Sequence, residues 1–143
     1  MSSEPTPSEA GATVQRTGPR QYTAKSERGA ELTIGFGPGE FSPGDLLKLA
    51  ILGCNALSSE ARFTTALGEN FQTTGSVTAD YLEGENRFAS FHVSLKPDLS
   101  HLGPEERQHL LERAARAVDH YCTISRTVEH SAKTSLEIDG TEV

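Results

Sequence analysis

The sequence is poor in aromatic residues and has no long apolar run. Both features limit the classes of protein to which the chain can belong. Aromatic residues make up 6% of the 143 residues, and hydrophobic residues make up 35%. A chain of this size forms one ordinary domain, whose aliphatic core would gain from association with a second copy. No run approaches the roughly 20 apolar residues that span a bilayer. We therefore expect a single non-membrane domain that forms a homodimer.

Basic residues are also scarce. The sequence has 13 Lys and Arg against 20 Asp and Glu, which gives a formal net charge of -7. Binding to phosphates needs clustered cations that displace counterions. We therefore expect no nucleic-acid and no membrane partner. Met1 is followed by Ser, Glu, Pro and Thr rather than by a basic and then apolar signal, so we expect a cytoplasmic location.

Cysteine occurs only twice, as Cys54 and Cys122. Two cysteines cannot form a disulfide framework, and a reducing compartment would keep a purely structural pair open. Both lie on apolar faces of predicted helices, so each could simply be a small hydrophobic residue of the core. Their sequence neighbours must decide between a structural and a chemical role.

The pattern of apolar residues and turn residues predicts an α+β fold. Residues 1–12 have nothing apolar to bury and are expected to form a disordered tail, followed by a single domain at 13–143. A hairpin turn is expected at Glu83-Gly84-Glu85-Asn86. Strands are predicted in an N-terminal meander, in this hairpin and near the C-terminus, at 13–16, 21–24, 31–34, 75–81, 89–95 and 133–138.

The first predicted helix begins with a recognisable cap. Ser42 suits the N-cap, Pro43 the first helical position and Asp45 the third, where an acid completes a capping box. The helix should run from Leu46 to about Ser58. Because it is apolar around nearly its whole circumference, we expect a central, buried helix.

A second helix is predicted to start at Gly103-Pro104, with acidic residues in its first turn. Its apolar residues recur at every fourth position, which predicts one buried stripe. Cys122 ends that stripe.

Two segments around the cysteines resemble the OsmC/Ohr family of hydroperoxide-reducing proteins. The family has a Pro-acid-acid-Leu-Leu helix opening ahead of an Ala/Gly-Cys, and a later Cys-Pro-Val-Ser-Arg-like motif. Pro43-Gly44-Asp45-Leu46-Leu47 through Cys54 is similar to the first motif, and Cys122-Thr123-Ile124-Ser125-Arg126-Thr127 is similar to the second. The resemblance covers about residues 13–138 and includes the order of strands and helices.

This resemblance implies an OsmC-like fold, with antiparallel sheets around a central helix in an intertwined homodimer that has two active sites at the subunit interface. Cys54 matches the peroxidatic cysteine and Cys122 the resolving cysteine of a peroxidase that reduces organic hydroperoxides. An external dithiol, such as a lipoylated protein, would regenerate the enzyme. No cofactor is expected.

The resemblance also implies a catalytic arginine in a Gly-Gly-Arg-like turn among the N-terminal strands. Thr17-Gly18-Pro19-Arg20 matches it best, so Arg20 is the candidate and Arg28 in the next turn is the second choice. In the organic-hydroperoxide branch, a Glu ten residues before the peroxidatic cysteine pairs with this arginine. Here that position is Gly44, and the nearest acid is Asp45. Asp45 could take this role or be only a cap, and Arg20 could be only a solvated charge.

Two functions other than a peroxidase are also compatible with the sequence. Gly44 leaves open a non-catalytic OsmC-like dimer that holds a small apolar ligand or senses redox state. A zinc site is less favoured, because two cysteines and His120 on separate elements lack a Cys-x-x-Cys pair. We therefore expect no metal. For a peroxidase, apolar surroundings favour alkyl or fatty-acid hydroperoxides, whose substituents gain from burial.

Overall fold

A computed structural model describes Glu4 and residues 11–143. The predicted tail at 1–12 lies outside the described residues, apart from Glu4, Gly11 and Ala12. The chain divides into two compact units, Met1–Leu47 and Lys48–Val143. The prediction of one domain over 13–143 stays a prediction.

The N-terminal unit contains a three-stranded antiparallel sheet of β1 (Thr13–Gly18), β2 (Gln21–Lys25) and β3 (Glu31–Ile34), in that order. The central strand fixes the register, because Tyr22 is opposite Arg16 on one side and Ile34 on the other. The predicted meander and its turns are confirmed.

Helix α1 (Pro43–Leu67) begins with the predicted capping box. The Asp45 N–H donates to Ser42 Oγ at 3.1 Å, and the Ser42 N–H donates to Asp45 Oδ2 at 3.0 Å. The predicted end near Ser58 is wrong, since the helix continues to Leu67. Ser59 does not interrupt it, because its buried hydroxyl donates to the Asn55 carbonyl one turn earlier at 2.9 Å.

The prediction that α1 is buried on all sides is wrong for the single chain. Ile51 and Phe63 are buried, but Leu49 is 44% exposed and Leu57 is 73% exposed. At 100° per residue, Leu57 points directly away from the midpoint between Ile51 and Phe63. One copy of the chain therefore covers only one side of this apolar helix.

The C-terminal unit contains a long hairpin and a second helix. Strands β4 (Thr73–Leu82) and β5 (Arg87–Pro97) pair in antiparallel, with a bulge between Asp80 and Tyr81. They are joined by a 3₁₀ turn at Glu83–Glu85 and by Asn86 in the left-handed conformation, so the predicted hairpin is confirmed. Helix α2 (Pro104–Tyr121) has Gly103 as its N-cap.

A small aliphatic and aromatic core joins α1 to α2 within the C-terminal unit. Phe63 is buried together with Leu110 and Ala114 from α2. The Phe63 ring centroid lies 5.7 Å from that of Phe71. The core is completed by partly buried residues around this cluster, Leu67, Phe71, Leu99 and Leu102.

The C-terminal segment differs from the prediction. A third helix, α3 (Thr123–Glu129), occupies a segment for which no helix was predicted. The strand expected at 133–138 is reduced to β6 (Glu137–Ile138), which pairs with β7 (Thr141–Glu142). Asp139 and Gly140 both have positive φ, at 48° and 77°, and form a two-residue turn that keeps these strands short.

Within Glu4 and residues 11–143, none of the helices combines the length and hydropathy needed to cross a membrane.

Candidate active site

Cys54 lies in the middle of α1 on a half-buried part of its surface. Its sulfur lies 3.9 Å from the hydroxyl of Ser58, one helical turn later. Cys54 is therefore a free thiol on a rigid element, with part of its surface open to solvent.

Cys122 lies at the junction of α2 and α3 and is fully buried, with 0% exposure. Its extended backbone, with φ -76° and ψ 95°, ends one helix and precedes the next. The Ser125 N–H donates to Cys122 Sγ at 3.4 Å, and the Ser125 hydroxyl lies 3.2 Å from the same sulfur. The side chain that carries the thiol is thus also the N-cap of α3.

The structure brings the two thiols together, although they are far apart in the sequence. The Cys54 side chain is close enough to Cys122 to lower the pKa of its thiol, and both cysteines are free. Packing of α1 against the α2–α3 junction therefore creates a reduced dithiol site within the C-terminal unit.

Asn55 bridges the two segments that carry the cysteines. Its Nδ2 lies 3.0 Å from the Ile51 carbonyl, 3.4 Å from Cys122 Sγ and 3.1 Å from Ser125 Oγ. A single amide group thus touches the backbone of α1, the second sulfur and the start of α3. Neither Asn55 nor Ser125 was predicted as a site residue. The only signal in the sequence is their position, since Asn55 directly follows Cys54 and Ser125 lies within the second motif.

The pKa of Cys122 is lowered from the ordinary value for a thiol. Burial, the largest single influence, raises the pKa. The Ser125 hydroxyl, the Cys54 thiol, the Ser125 N–H and the Asn55 amide all act in the opposite direction, because each can donate a hydrogen bond to the thiolate. The summed effect of these donors exceeds the effect of burial.

A cavity of about 500 Å³ lies beside this site. Asn55 and Ser125 line it, and so do the apolar side chains Ile51, Phe88, Phe91, Val93 and Val128. Arg87 brings a positive charge to the wall of the cavity and forms an ion pair with Glu85 at 3.3 Å. Arg87 was not predicted, because its position beside a hairpin turn gives no signal in the sequence.

The predicted arginines and acid lie in the N-terminal unit. Arg20 is exposed in the β1–β2 turn at φ 55°, and its guanidinium lies 5.3 Å from the centre of the Phe36 ring. Arg28 is exposed in the β2–β3 turn. Asp45 is half-buried, and its carboxylate takes part in the capping box. The catalytic roles of Arg20 and Asp45 stay predictions.

Among the residues that the structure describes, no three His, Cys, Asp or Glu side chains are grouped as metal ligands would be. The ring of His120 packs edge-on against Tyr121, with centroids 4.6 Å apart.

The fold and the site define a class, an α+β protein with a pair of thiols held between α1 and the start of α3. In the part of the chain that the structure describes, there are three α-helices and three antiparallel sheets, the last of which has strands of only two residues. The family model for OsmC-like protein matches residues 36–137. The chain belongs to the OsmC-like family, as the two motifs indicate.

Relatives and solved structures agree with this assignment. The chain is 33% identical over 127 residues to uncharacterized protein Rv2923c of Mycobacterium tuberculosis, covering 87% of this chain and 93% of the relative. An OsmC-like protein of unknown function from Vibrio cholerae is similar with a TM-score of 0.66 at 14% identity, over 85% of this chain and 94% of that one. An organic hydroperoxide resistance protein from Elizabethkingia anophelis is similar with a TM-score of 0.55 at 22% identity, over 88% of this chain and 91% of that one. At these identities the two structures show a shared fold.

Proposed function

We propose that this chain is a thiol-dependent peroxidase that reduces organic hydroperoxides. The observation that carries the proposal is the proximity of the Cys54 and Cys122 side chains, beside a cavity with both polar and apolar side chains in its wall. Family membership supports it, as does the fold shared with a protein whose name refers to organic hydroperoxide resistance.

Cys54 is the peroxidatic cysteine in this proposal. Its thiolate attacks the terminal oxygen of the hydroperoxide, and the O–O bond breaks to leave a sulfenic acid on Cys54 and an alkoxide. The alkoxide takes up the proton that the Cys54 thiol lost on ionising and leaves as the alcohol. The partial exposure of Cys54 supports this assignment, because the buried Cys122 offers a peroxide no surface to approach.

Cys122 is the resolving cysteine. Its sulfur attacks the Cys54 sulfenic acid, the S–O bond breaks with loss of water, and a Cys54–Cys122 disulfide forms. The proximity of the two cysteine side chains supports this step, because reacting groups held near one another react faster. An external dithiol, for which a lipoylated protein is the proposed source, then reduces the disulfide by exchange.

The apolar side chains in the wall of the cavity support an alkyl or fatty-acid hydroperoxide as substrate. Phe88, Phe91, Val93 and Val128 can bury an alkyl substituent, which hydrogen peroxide lacks. Burial of each methylene contributes about 0.8 kcal/mol of binding.

Cleavage of the O–O bond also needs a cation to stabilise the charge on the departing oxygen. We assign this task to Arg20, positioned by Asp45, with Arg28 as the second choice, on the strength of the family motif. The proposed intertwined homodimer places two such sites at the subunit interface.

The test is steady-state consumption of cumene hydroperoxide with dihydrolipoamide as reductant. We expect turnover in the wild type, complete loss of turnover in Cys54→Ser, and in Cys122→Ser a single oxidation with slow or no further cycles. Turnover that persists in Cys54→Ser would contradict the proposal. Arg20→Ala should lose activity, and if Arg28→Ala loses it instead, the arginine is misassigned.

A second candidate is a non-catalytic dimer that binds a small apolar ligand or senses redox state. Gly44 at the position of the family's Glu favours it, because the expected partner of the catalytic arginine is missing. In the same assay this candidate predicts consumption of at most one equivalent of peroxide per chain.

A further inference from the structure

The residue that follows Cys54 in the chain contacts the sulfur of the other cysteine. Asn55 Nδ2 lies 3.4 Å from Cys122 Sγ and 3.1 Å from Ser125 Oγ, and it is anchored by the Ile51 carbonyl at 3.0 Å. Because Asn55 is fixed to α1, it holds the start of α3 and the Cys122 sulfur at a defined place beside Cys54.

The two sulfurs have unequal surroundings. Cys122 Sγ has Asn55 Nδ2, the Ser125 N–H and the Ser125 hydroxyl within 3.4 Å. Apart from the other thiol, the contact of Cys54 Sγ is the Ser58 hydroxyl at 3.9 Å. A hydroxyl can rotate to donate to a thiolate, so Ser125 can supply two donors to an ionised Cys122. Hydrogen bonds to the ionised form favour that form.

The two cysteines also differ in exposure to solvent, and here Cys54 is the more favoured of the two. Cys122 is 0% exposed, whereas Cys54 is half-buried. In thiol–disulfide exchange, the attacked sulfur must be reachable, and the sulfur that leaves does so faster when its thiolate is more stable. Both criteria favour attack at Cys54.

We propose that Asn55 and Ser125 are positioning residues that stabilise Cys122 as a thiolate, so that the external dithiol attacks Cys54 and Cys122 is the leaving group. This inference rests on the proposed function and deepens its reductive half.

The proposed step is a two-electron exchange. One thiolate of the external dithiol attacks Cys54 Sγ, the Cys54–Cys122 bond breaks, and its electron pair goes to Cys122 Sγ. The resulting mixed disulfide on Cys54 is attacked by the second thiolate of the reductant, which becomes an intramolecular disulfide and releases the Cys54 thiolate. The two protons of the dithiol pass to solvent or to the enzyme thiolates.

The first test follows the ionisation of Cys122 alone. The chain has two cysteines, so in a Cys54→Ser background the thiolate absorbance reports only on Cys122. We expect the midpoint of the pH profile to move to higher pH in Asn55→Leu and in Ser125→Ala. In Asn55→Leu the midpoint should rise by about one pH unit, a tenfold change in the ionisation constant, which is the effect of one lost hydrogen bond to a charged group.

The matched control is the same substitution at Asn70, an exposed residue away from the sulfurs. Asn70→Leu should leave the profile unchanged. If Asn55→Leu does not fold, Ser125→Ala carries the test by itself. An unchanged profile in both Asn55→Leu and Ser125→Ala would overturn the inference. This measurement needs no peroxidase activity, so it can fail while the proposed function stands.

The second test identifies the attacked sulfur. The oxidised protein is treated briefly with cysteamine, quenched with acid and digested, and the cysteamine adduct is located by mass spectrometry. We expect the adduct on Cys54 and a free thiol at Cys122. An adduct mainly on Cys122 would overturn the inference, whereas a protein in which peroxide forms no Cys54–Cys122 disulfide would overturn the proposed function itself.

Discussion

Single residues decide the chemistry of this site through the groups that surround each sulfur. Ser125 illustrates this, because its N–H and its hydroxyl both lie against Cys122 Sγ. A cysteine buried among apolar groups would hold its proton more tightly. Here the buried thiol has a lowered pKa, because polar groups are buried against the sulfur.

The lowered pKa of Cys122 predicts how stability depends on pH. Burial raises this pKa, but the hydrogen-bond donors from Ser125, Cys54 and Asn55 lower it by a larger amount. The net shift is therefore downward from 9.0. Between the folded and the unfolded pKa, the unfolded chain binds more protons, so stability rises with pH. This contribution is complete above about pH 9 and is lost as the pH falls through the folded pKa.

The measurement is denaturant unfolding under reducing conditions, from about pH 7 to about pH 9. We expect the free energy of unfolding of the wild type to increase relative to that of Cys122→Ser across this range. A constant difference between the two proteins would show that Cys122 ionises no more readily in the folded protein than in the unfolded chain.

At the scale of secondary-structure elements, the start of α1 has two possible purposes. Ser42 and Asp45 form a reciprocal capping box. A cap of this kind contributes about 1 kcal/mol. The proposed mechanism gives Asp45 a further task, because it would also orient Arg20.

Substitution of both capping residues separates these purposes. Ser42→Ala and Asp45→Ala should each lower the free energy of unfolding by about 1 kcal/mol. Only Asp45→Ala should lower kcat/KM, by about 100-fold, because a catalytic group out of position loses rate steeply. If both variants keep full peroxidase activity, Asp45 is a cap and nothing more.

Most elements could be predicted from the sequence because their signals are local. The strands of the meander, the Glu83–Glu85 turn and the capping box follow from alternation, turn residues and spacing over a few positions. Helix α3 was missed because its cap is a cysteine sulfur, which is not among the usual capping groups. The end of α1 was predicted near Ser58, but Ser59 donates to a carbonyl within the helix, which continues to Leu67.

The candidate site was only partly predictable for a different reason. Cys54 and Cys122 stood out through two motifs, but the contact between Asn55 and Ser125 joins positions 70 residues apart. An amide and a hydroxyl in a sequence have no distinctive pattern until the fold brings them to one sulfur. Likewise, Arg87 becomes noticeable only when β5 places it beside the cavity.

At the scale of the whole molecule, the apolar surface of α1 is the main feature that one chain leaves open. Leu49 and Leu57 lie on a side that the single chain does not cover. Large exposed apolar side chains on one helix commonly mark an interface with another protein. The proposed homodimer accounts for them by covering this side with a second copy.

A charge on that side should therefore disrupt the assembly. We expect the wild type to be a dimer by light scattering coupled to size exclusion, and Leu57→Asp to be a monomer, because burying an unpaired carboxylate at an interface costs several kcal/mol. Asn70→Asp, which adds the same charge at an exposed position outside the helices, should remain a dimer. A dimeric Leu57→Asp variant would show that this side of α1 lies outside the interface.

The bulge between Asp80 and Tyr81 has a consequence for chains that have not yet found a partner. An extended two-stranded ribbon offers backbone groups along its outer borders, to which further ribbons can add without limit. An extra residue in one strand bends the ribbon and increases its right-handed twist, so flat stacking of many copies is hindered. The same irregularity that interrupts the ladder should thus protect newly made chains from growing into fibres.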